Sequence, residues 1–519
     1  MPIRMVPDEN KGQNEQRNIP RNKQGGSGLG GILSFLPMIL GFLIKKPKLL
    51  MLLLAIGAIW YFTKDGCMNN IADVSNQETD LTKGATLDPD EFDKAEVFTP
   101  LAETSKNVLP ERVSLQQYCP TRKNQGYQGS CVGWASSYAA RTIMEAKATG
   151  KSPNSVAFSP SSLYNQIALP NCQGAYINKA MDVMRQRGVL PWNDFPYDES
   201  SCSSKPNSAG LQKMANYRTR GYNRLTVNED PRGAIDLLAI KQNLAQGAPV
   251  VIGMMVGGSF MQGMQGQELW QPSRNDYNMR GFGGHAMCVI GYDDYKEGGS
   301  FQIMNSWGNE WGKDGFGWVR YNDFQYFTKE AYGLYPMGDA KKQSPTKFEM
   351  AFGLVQNNGG EYIPIRQVAN NYFETSSSIA KMTKFKIEVA NTIDCYTYIF
   401  GAEVNNTSYV LFPYTAKHSP YCGITGTRIF PRDHSLLADN EGNKDFFAIL
   451  VTKQPIDYES VNKAINNASG NNYTEKVNNA LGRVLKRGVK FQGNGKNIGF
   501  STDTNGEEAI AMIIGVNKR

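Results

Sequence analysis

Histidine is scarce in this chain of 519 residues, with three in all: His285, His418 and His434. Any chemistry that needs an imidazole in the first four hundred residues therefore depends on His285. His418 and His434 lack the neighbours a metal site needs and read as surface residues, so neither a metal nor another cofactor is expected. Cysteine is sparse too, and eight in 519 residues exclude a small disulfide-built scaffold. No uninterrupted apolar run reaches the roughly 20 residues that span a bilayer. The formal charge of +7 is modest for the length, and no long basic tract carries it. Nucleic acid is therefore not an expected partner. The length itself is too great for one core and implies two folded domains with appendages.

Against that background one stretch stands out, LPERVSLQQYCPTRKNQGYQGSCVGWASSYA, from Leu109 to Ala139. Cys131 sits between a Gly/Gln/Ser-rich loop and an amphipathic run in which Trp134, Tyr138 and Thr142 recur every four residues. That spacing puts the three on one helical face and Cys131 at the helix start. The positive end of a helix favours thiolate, the nucleophilic form. Gln125, six residues earlier, is near enough to donate to an oxygen that becomes negative during attack on a carbonyl. His285, within GFGGHAMCVIGYDD, is the candidate base, and Ala286 to Tyr292 reads as a buried strand. Twenty residues after His285, in IMNSWGNEWGKDGFGWVRY, Asn305 can accept from the imidazole and Trp307 can cover that bond. Beside His285, Cys131 is expected to exist as a thiolate–imidazolium pair before substrate arrives.

These residues carry a resemblance to papain-like cysteine peptidases, in which Cys, His and Asn act together. It spans Leu109 to Met337 and rests on LPERVSL, KNQG, GGHAMCVIGY, NSWG and AYGLYP. The resemblance implies an α+β domain of two lobes, one helical and one barrel-like. It also implies hydrolysis of peptide bonds through a thioester: Cys131 attacks, His285 shuttles the proton, Asn305 orients the ring and Gln125 holds the oxyanion. By the same match Gly174 and Ala175, in the turn that begins at Cys172, line one wall of the substrate cleft. Ala286 and Trp307 line the other, and Cys172 pairs with Cys202. The chain departs from the family in reading QGSCVGWA, with Gln128 where a structural cysteine is usual, so the family's first disulfide cannot form.

Elsewhere the chain divides into a polar tail (1–31), a membrane-anchor region (32–63), a stalk or short pro-segment (64–107), the peptidase domain (108–338) and a mainly β C-terminal domain (346–519). In the anchor region two short apolar runs flank Lys45, Lys46 and Lys48. The expected arrangement is a single transmembrane helix at about 49–63 with the lysines cytoplasmic and the catalytic domain on the non-cytoplasmic side. A membrane hairpin is the alternative. DPDEFDKAEVF is the one helix-like piece of the stalk, and an autoinhibitory segment within Asp88 to Leu101 is a second reading of it. The Gly/Met/Gln-rich insertion Gly257 to Gly284 is read as a substrate-shaping loop or a plain exposed one. Phe385, Ile387 and Val389 alternate, as do Tyr396, Tyr398 and Phe400, which gives strands. Tyr458 to Arg487 has helical character. The C-terminal domain weakly resembles a β-sandwich module appended to bacterial peptidases. The function expected is a membrane-anchored cysteine peptidase acting on a peptide or protein substrate. The alternative is a peptide-binding or adaptor protein that recruits a protein partner through its C-terminal domain.

Overall fold

The run from Cys131 to Thr149 is helical throughout, as its apolar spacing requires, but its middle is wound wider than an α-helix. Cys131–Gly133 and Thr142–Thr149 are α-helical, while Trp134–Arg141 is a π-helix. Every residue from Cys131 to Met144 is buried, so this is a central helix rather than a surface one. It ends at Gly150, whose φ of 69° is the left-handed conformation that glycine adopts without strain.

The computed structural model describes residues 3–8, 81–339, 341, 347–357 and 360–519. One unit comprises Met1–Asp8 with Leu81–Arg519; the other, Glu9–Asp80, lies outside the described residues. The two apolar runs, the lysine cluster, Cys67 and the first part of the stalk fall there. Among the described residues no helix is long and apolar enough to cross a membrane.

The helix packs on an antiparallel sheet. Its strands run in the order Tyr222–Arg224, Thr328–Leu334, Val250–Val256, Gly283–Asp293, Ser300–Met304 and Phe316–Arg320, with Arg112–Ser114 also paired to Gly283–Asp293. Val250–Val256 and Gly283–Asp293 are buried along nearly their whole length. Their near-continuous apolar composition suits strands that are covered on both faces. The insertion Gly257 to Gly284 is no bare loop. It carries the short helix Gly258–Gln262, and its Trp270 is fully buried between Phe260 and Phe327.

The C-terminal residues form a sandwich of two sheets. One contains Phe348–Gln356, Lys384–Asn391 and Asn497–Thr502; the other contains Cys395–Ala402, Lys444–Thr452 and Ala509–Asn517. Phe352, Ile387, Ile449 and Met512 meet in the core between them. Helices Tyr458–Asn467 and Tyr473–Leu481 cover the outer face of the second sheet through Ile465, Tyr473 and Val477.

Two parts of the chain depart from the expected layout. Ile3–Pro7, in the polar tail, is a strand paired antiparallel with His434–Ala438, and Asp8 forms a buried ion pair with Lys386 at 2.6 Å. Residues 81–107 are not a free stalk. Phe92, Ala95, Phe98 and Leu101 join the same core as the central helix. Residues 96–98 are hydrogen-bonded on one edge to Arg224 and on the other to Lys417 and Ser419, so both domains hold this segment. His418 is accordingly half-buried, near Glu229, rather than a surface residue, whereas His434 is exposed.

Candidate active site

Cys131 opens the helix with Ser130 before it, and its Sγ accepts the N–H of Ala286 at 3.4 Å. The thiol is thus held against the strand that carries His285. The imidazole Nε2 lies 2.7 Å from Oδ1 of Asn305, while Nδ1 is buried without a partner, leaving that nitrogen for the thiol. Because the Asn305 oxygen also accepts the Ser306 N–H at 2.8 Å, the amide is fixed with its oxygen toward the ring. Trp307 stacks on the imidazole at 4.2 Å between centroids, shielding the His285–Asn305 bond from water.

Gln125 is fully buried and locked in place. Ser306 Oγ donates to its Oε1 at 2.7 Å, and its Nε2 donates to the Gln128 carbonyl at 2.9 Å. A carboxamide nitrogen carries two hydrogens, so this bond uses one of them. Tyr197, which the sequence did not single out, completes the support. Its hydroxyl donates to the Gln125 carbonyl at 2.7 Å and lies 2.6 Å from Ser130 Oγ.

The cleft above these groups is filled by the chain itself. Residues 82–88 run across it in extended form. Ala175 N–H donates to the Gly84 carbonyl at 2.9 Å, and Thr86 N–H donates to the Ala175 carbonyl at 3.0 Å. On the opposite wall the Gly284 carbonyl accepts from Gly84 and Ala85, and Trp307 Nε1 donates to the Thr82 carbonyl at 2.9 Å. This is strand addition, with the backbone supplying the contacts. Gly174 makes no bond to the segment but permits its approach. A Cβ there would come within 2.6 Å of the Gly84 oxygen. Glycine at 84 is required as well, since a Cβ would fall 2.1 Å from the Gly129 carbonyl oxygen.

A family model described as papain family cysteine protease matches residues 109–336. The chain is therefore similar to that family over a stretch a little under half its length. An uncharacterized peptidase C1-like protein of Acanthamoeba polyphaga mimivirus is 29% identical over 200 residues, 37% of this chain and 62% of that protein. Mouse cathepsin K is 24% identical over 262 residues, 49% of this chain and 72% of that one. The chain thus spans less than two thirds of the viral relative. Xylellain, a cysteine protease from Xylella fastidiosa, aligns at 24% identity with a TM-score of 0.40, covering 50% of this chain and 98% of that one.

Within this matched region Gln128, at the position where the family has a structural cysteine, is accommodated by hydrogen bonding. Its side-chain amide reaches the Asp198 and Glu199 carbonyls at 3.4 Å, tying the nucleophile loop to the 197–199 segment without a disulfide. Cys172 and Cys202 are joined by a disulfide, closing a loop with a sequence separation of 30. Cys119, Cys131, Cys288, Cys395 and Cys422 are buried thiols, and Cys395 and Cys422 are register partners on adjacent strands.

The electrostatics overturn one expectation. With residues 82–88 in place, Cys131 and His285 are both fully buried. Burial pushes the thiol up to about 12, against the N–H groups of Ala286, Val132, Gly84 and Cys131 itself. It pushes the imidazole down to about 4, with Lys83 adding to the fall and Asn305 opposing it. The covered site therefore holds a neutral thiol and a neutral imidazole, not the ion pair. Removing water penalises both charges more than the helix end repays. Sequence reasoning also missed Gly84, Leu87 and Glu330 as cleft residues. The small-residue run KGAT was the only signal, and nothing in periodicity marks it.

Proposed function

We propose that this protein is a latent thiol peptidase that hydrolyses peptide bonds once residues 82–88 leave the cleft. The observation that carries the proposal is the extended backbone bonded to Ala175 on one side and Gly284 on the other, directly over Cys131. A groove that binds one polypeptide in this way can bind another. In the open site the Cys131 proton passes to His285, and the sulfur attacks the substrate carbonyl carbon. The carbonyl electron pair moves to oxygen, where the Cys131 N–H and the second amide hydrogen of Gln125 receive it. The intermediate collapses, the C–N bond breaks, and the amine leaves with the proton from His285. Water then loses a proton to the same imidazole and attacks the thioester carbonyl. The acid departs and the thiol is restored.

The test is alkylation of Cys131 by iodoacetamide together with peptide turnover, before and after limited proteolysis within residues 81–101. A rise in both supports a latent peptidase. A thiol that becomes reactive without any peptide being cleaved favours the binding-protein alternative, in which the groove only grips extended chains.

We also propose that membrane attachment through residues 32–63 keeps both flanking regions on one side. A single crossing at 49–63 would separate the tail from the catalytic domain, and the pairing of Ile3–Pro7 with His434–Ala438 speaks against that. An even number of crossings is compatible with it, and a disulfide at Cys172–Cys202 favours the oxidising side. Met5 and Leu436 are register partners, so cysteines placed at both should cross-link in intact cells. Labelling of the two positions from opposite sides of the membrane restores the single crossing.

A further inference from the structure

The residues that follow the covering segment are gripped from two sides. Asp93 forms one ion pair with each domain, Oδ1 with Arg224 of the Cys131 domain at 2.8 Å and Oδ2 with Lys417 of the sandwich at 2.6 Å. Val97 lies between the domains as a strand residue, bridged in parallel to Arg224 on one side and to His418 on the other. Thr99 and Leu101 divide in the same way. Arg428 Nε donates to the Thr99 carbonyl at 3.1 Å, while the Gln242 side chain exchanges two bonds with the Leu101 backbone, at 2.8 and 2.9 Å. The Leu101 side chain lies against Gly426 of the sandwich, where a Cβ would come within 2.8 Å of Leu101 Cδ1. Asn107 ends the run. Its Nδ2 donates to the Ala102 and Thr427 carbonyls at 2.7 and 2.8 Å, and its Oδ1 accepts the Thr427 N–H at 2.9 Å.

Withdrawing this stretch would be costly. Arg224 is fully buried, and without Asp93 its charge would stay in the interior uncompensated. The backbone groups of residues 96–98 would lose partners along two edges at once. Phe92, Phe98 and Leu101 would leave the core. Residues 82–86, by contrast, are bonded to the walls of the cleft, and Asp90, between the two stretches, has a side chain 87% exposed. Resting on the latent-peptidase reading above, we propose that the cleft opens by a cut between Asp88 and Phe92. Residues 92–107 then remain in the active protein as the strand that joins its two domains. The cut is a hydrolysis performed by an endopeptidase. The peptide C–N bond breaks, and water supplies OH to the new carboxyl and H to the new amine.

Three full chains test this, each carrying the recognition sequence of an added site-specific endopeptidase. One has it inserted after Asp90, one after Val108, which is 79% exposed, and one at both places. The readings are iodoacetamide alkylation at Cys131 and the masses that elute together in gel filtration without denaturant. Cutting after Asp90 should raise alkylation at least tenfold over the uncut chain. Cutting after Val108 should change it less than twofold, because residues 92–107 keep their grip and hold the cover with them. In the doubly cut protein the piece from 91 to 108 should elute with both domains. Equal opening by the two cuts, a site still closed after the Asp90 cut, or loss of that piece from the doubly cut protein each overturns the proposal. Turnover is not read in any of these steps. Failure of the peptidase reading therefore appears separately, as a chain cut after Asp90 whose Cys131 is readily alkylated but which cleaves no peptide.

Discussion

Gly84→Ala should convert the covered site into an open one. The added Cβ would sit 2.1 Å from the oxygen of Gly129, 2.4 Å from its carbonyl carbon and 2.6 Å from its Cα. These are backbone atoms of the loop that leads into Cys131, so no side-chain rotation relieves the clash. The segment must retreat by more than about 1 Å, beyond hydrogen-bond reach. The bonds at risk are Ala175 N–H to Gly84, Thr86 N–H to Ala175, and the pair that Gly84 and Ala85 donate to Gly284. Counting the pair that shares the Gly284 oxygen as one contact, at about 1 kcal/mol for each of three contacts, the loss is about 3 kcal/mol. That corresponds to roughly a hundredfold rise in the uncovered fraction. The assay is the rate of iodoacetamide alkylation at Cys131 in the full chain, read by peptide mapping. The buried thiols Cys119, Cys288, Cys395 and Cys422 serve as internal controls for unfolding. In the unaltered chain a thiol pushed up to about 12 should react faster and faster through the alkaline range. In Gly84→Ala, hydration of the site lowers the thiol and raises the imidazole, so the rate should level off at a lower pH. Equal alkylation rates at unchanged melting temperature would refute the claim that this glycine holds the cleft shut.

Acid should loosen the stretch that follows this segment. Glu91 is held down to about 2 by Lys94, Asn178 and Lys179. A depressed carboxylate stabilises above its ordinary range, and the effect is lost as pH falls through that range toward 2. Pepsin should therefore begin to cut residues 88–101 within that window, and Glu91→Gln should make cutting nearly independent of pH there. In the opened enzyme Gln125→Ala should lower kcat by about 10²–10³-fold, and Asn305→Ala should be milder than Cys131→Ala, measured on one peptide. Cys172→Ser should cost about 3–4 kcal/mol in urea unfolding, as expected for closing a loop of this size. Cys202→Ser should cost the same, and the double variant no more.

What the sequence by itself determined is the candidate site and the texture of the two domains. Cys131 before a four-residue apolar repeat, His285 at the head of an apolar run and Asn305 before Trp307 are legible because each depends on side chains and their local spacing. The sandwich strands at Phe385 and Tyr396 and the helices after Tyr458 are legible for the same reason. Only the tertiary structure decided what lies in the cleft. Gly84, Ala85 and Thr86 are held through backbone N–H and C=O groups that nearly every residue possesses, so strand addition leaves no signature in residue type. The pairing of Ile3–Pro7 with His434–Ala438 was hidden likewise, since its partners are more than four hundred residues apart. The protonation of the site was also beyond the sequence. Helix position and a neighbouring histidine argue for charge, yet burial under the covering segment reverses both groups, and burial exists only once the chain has folded back on itself.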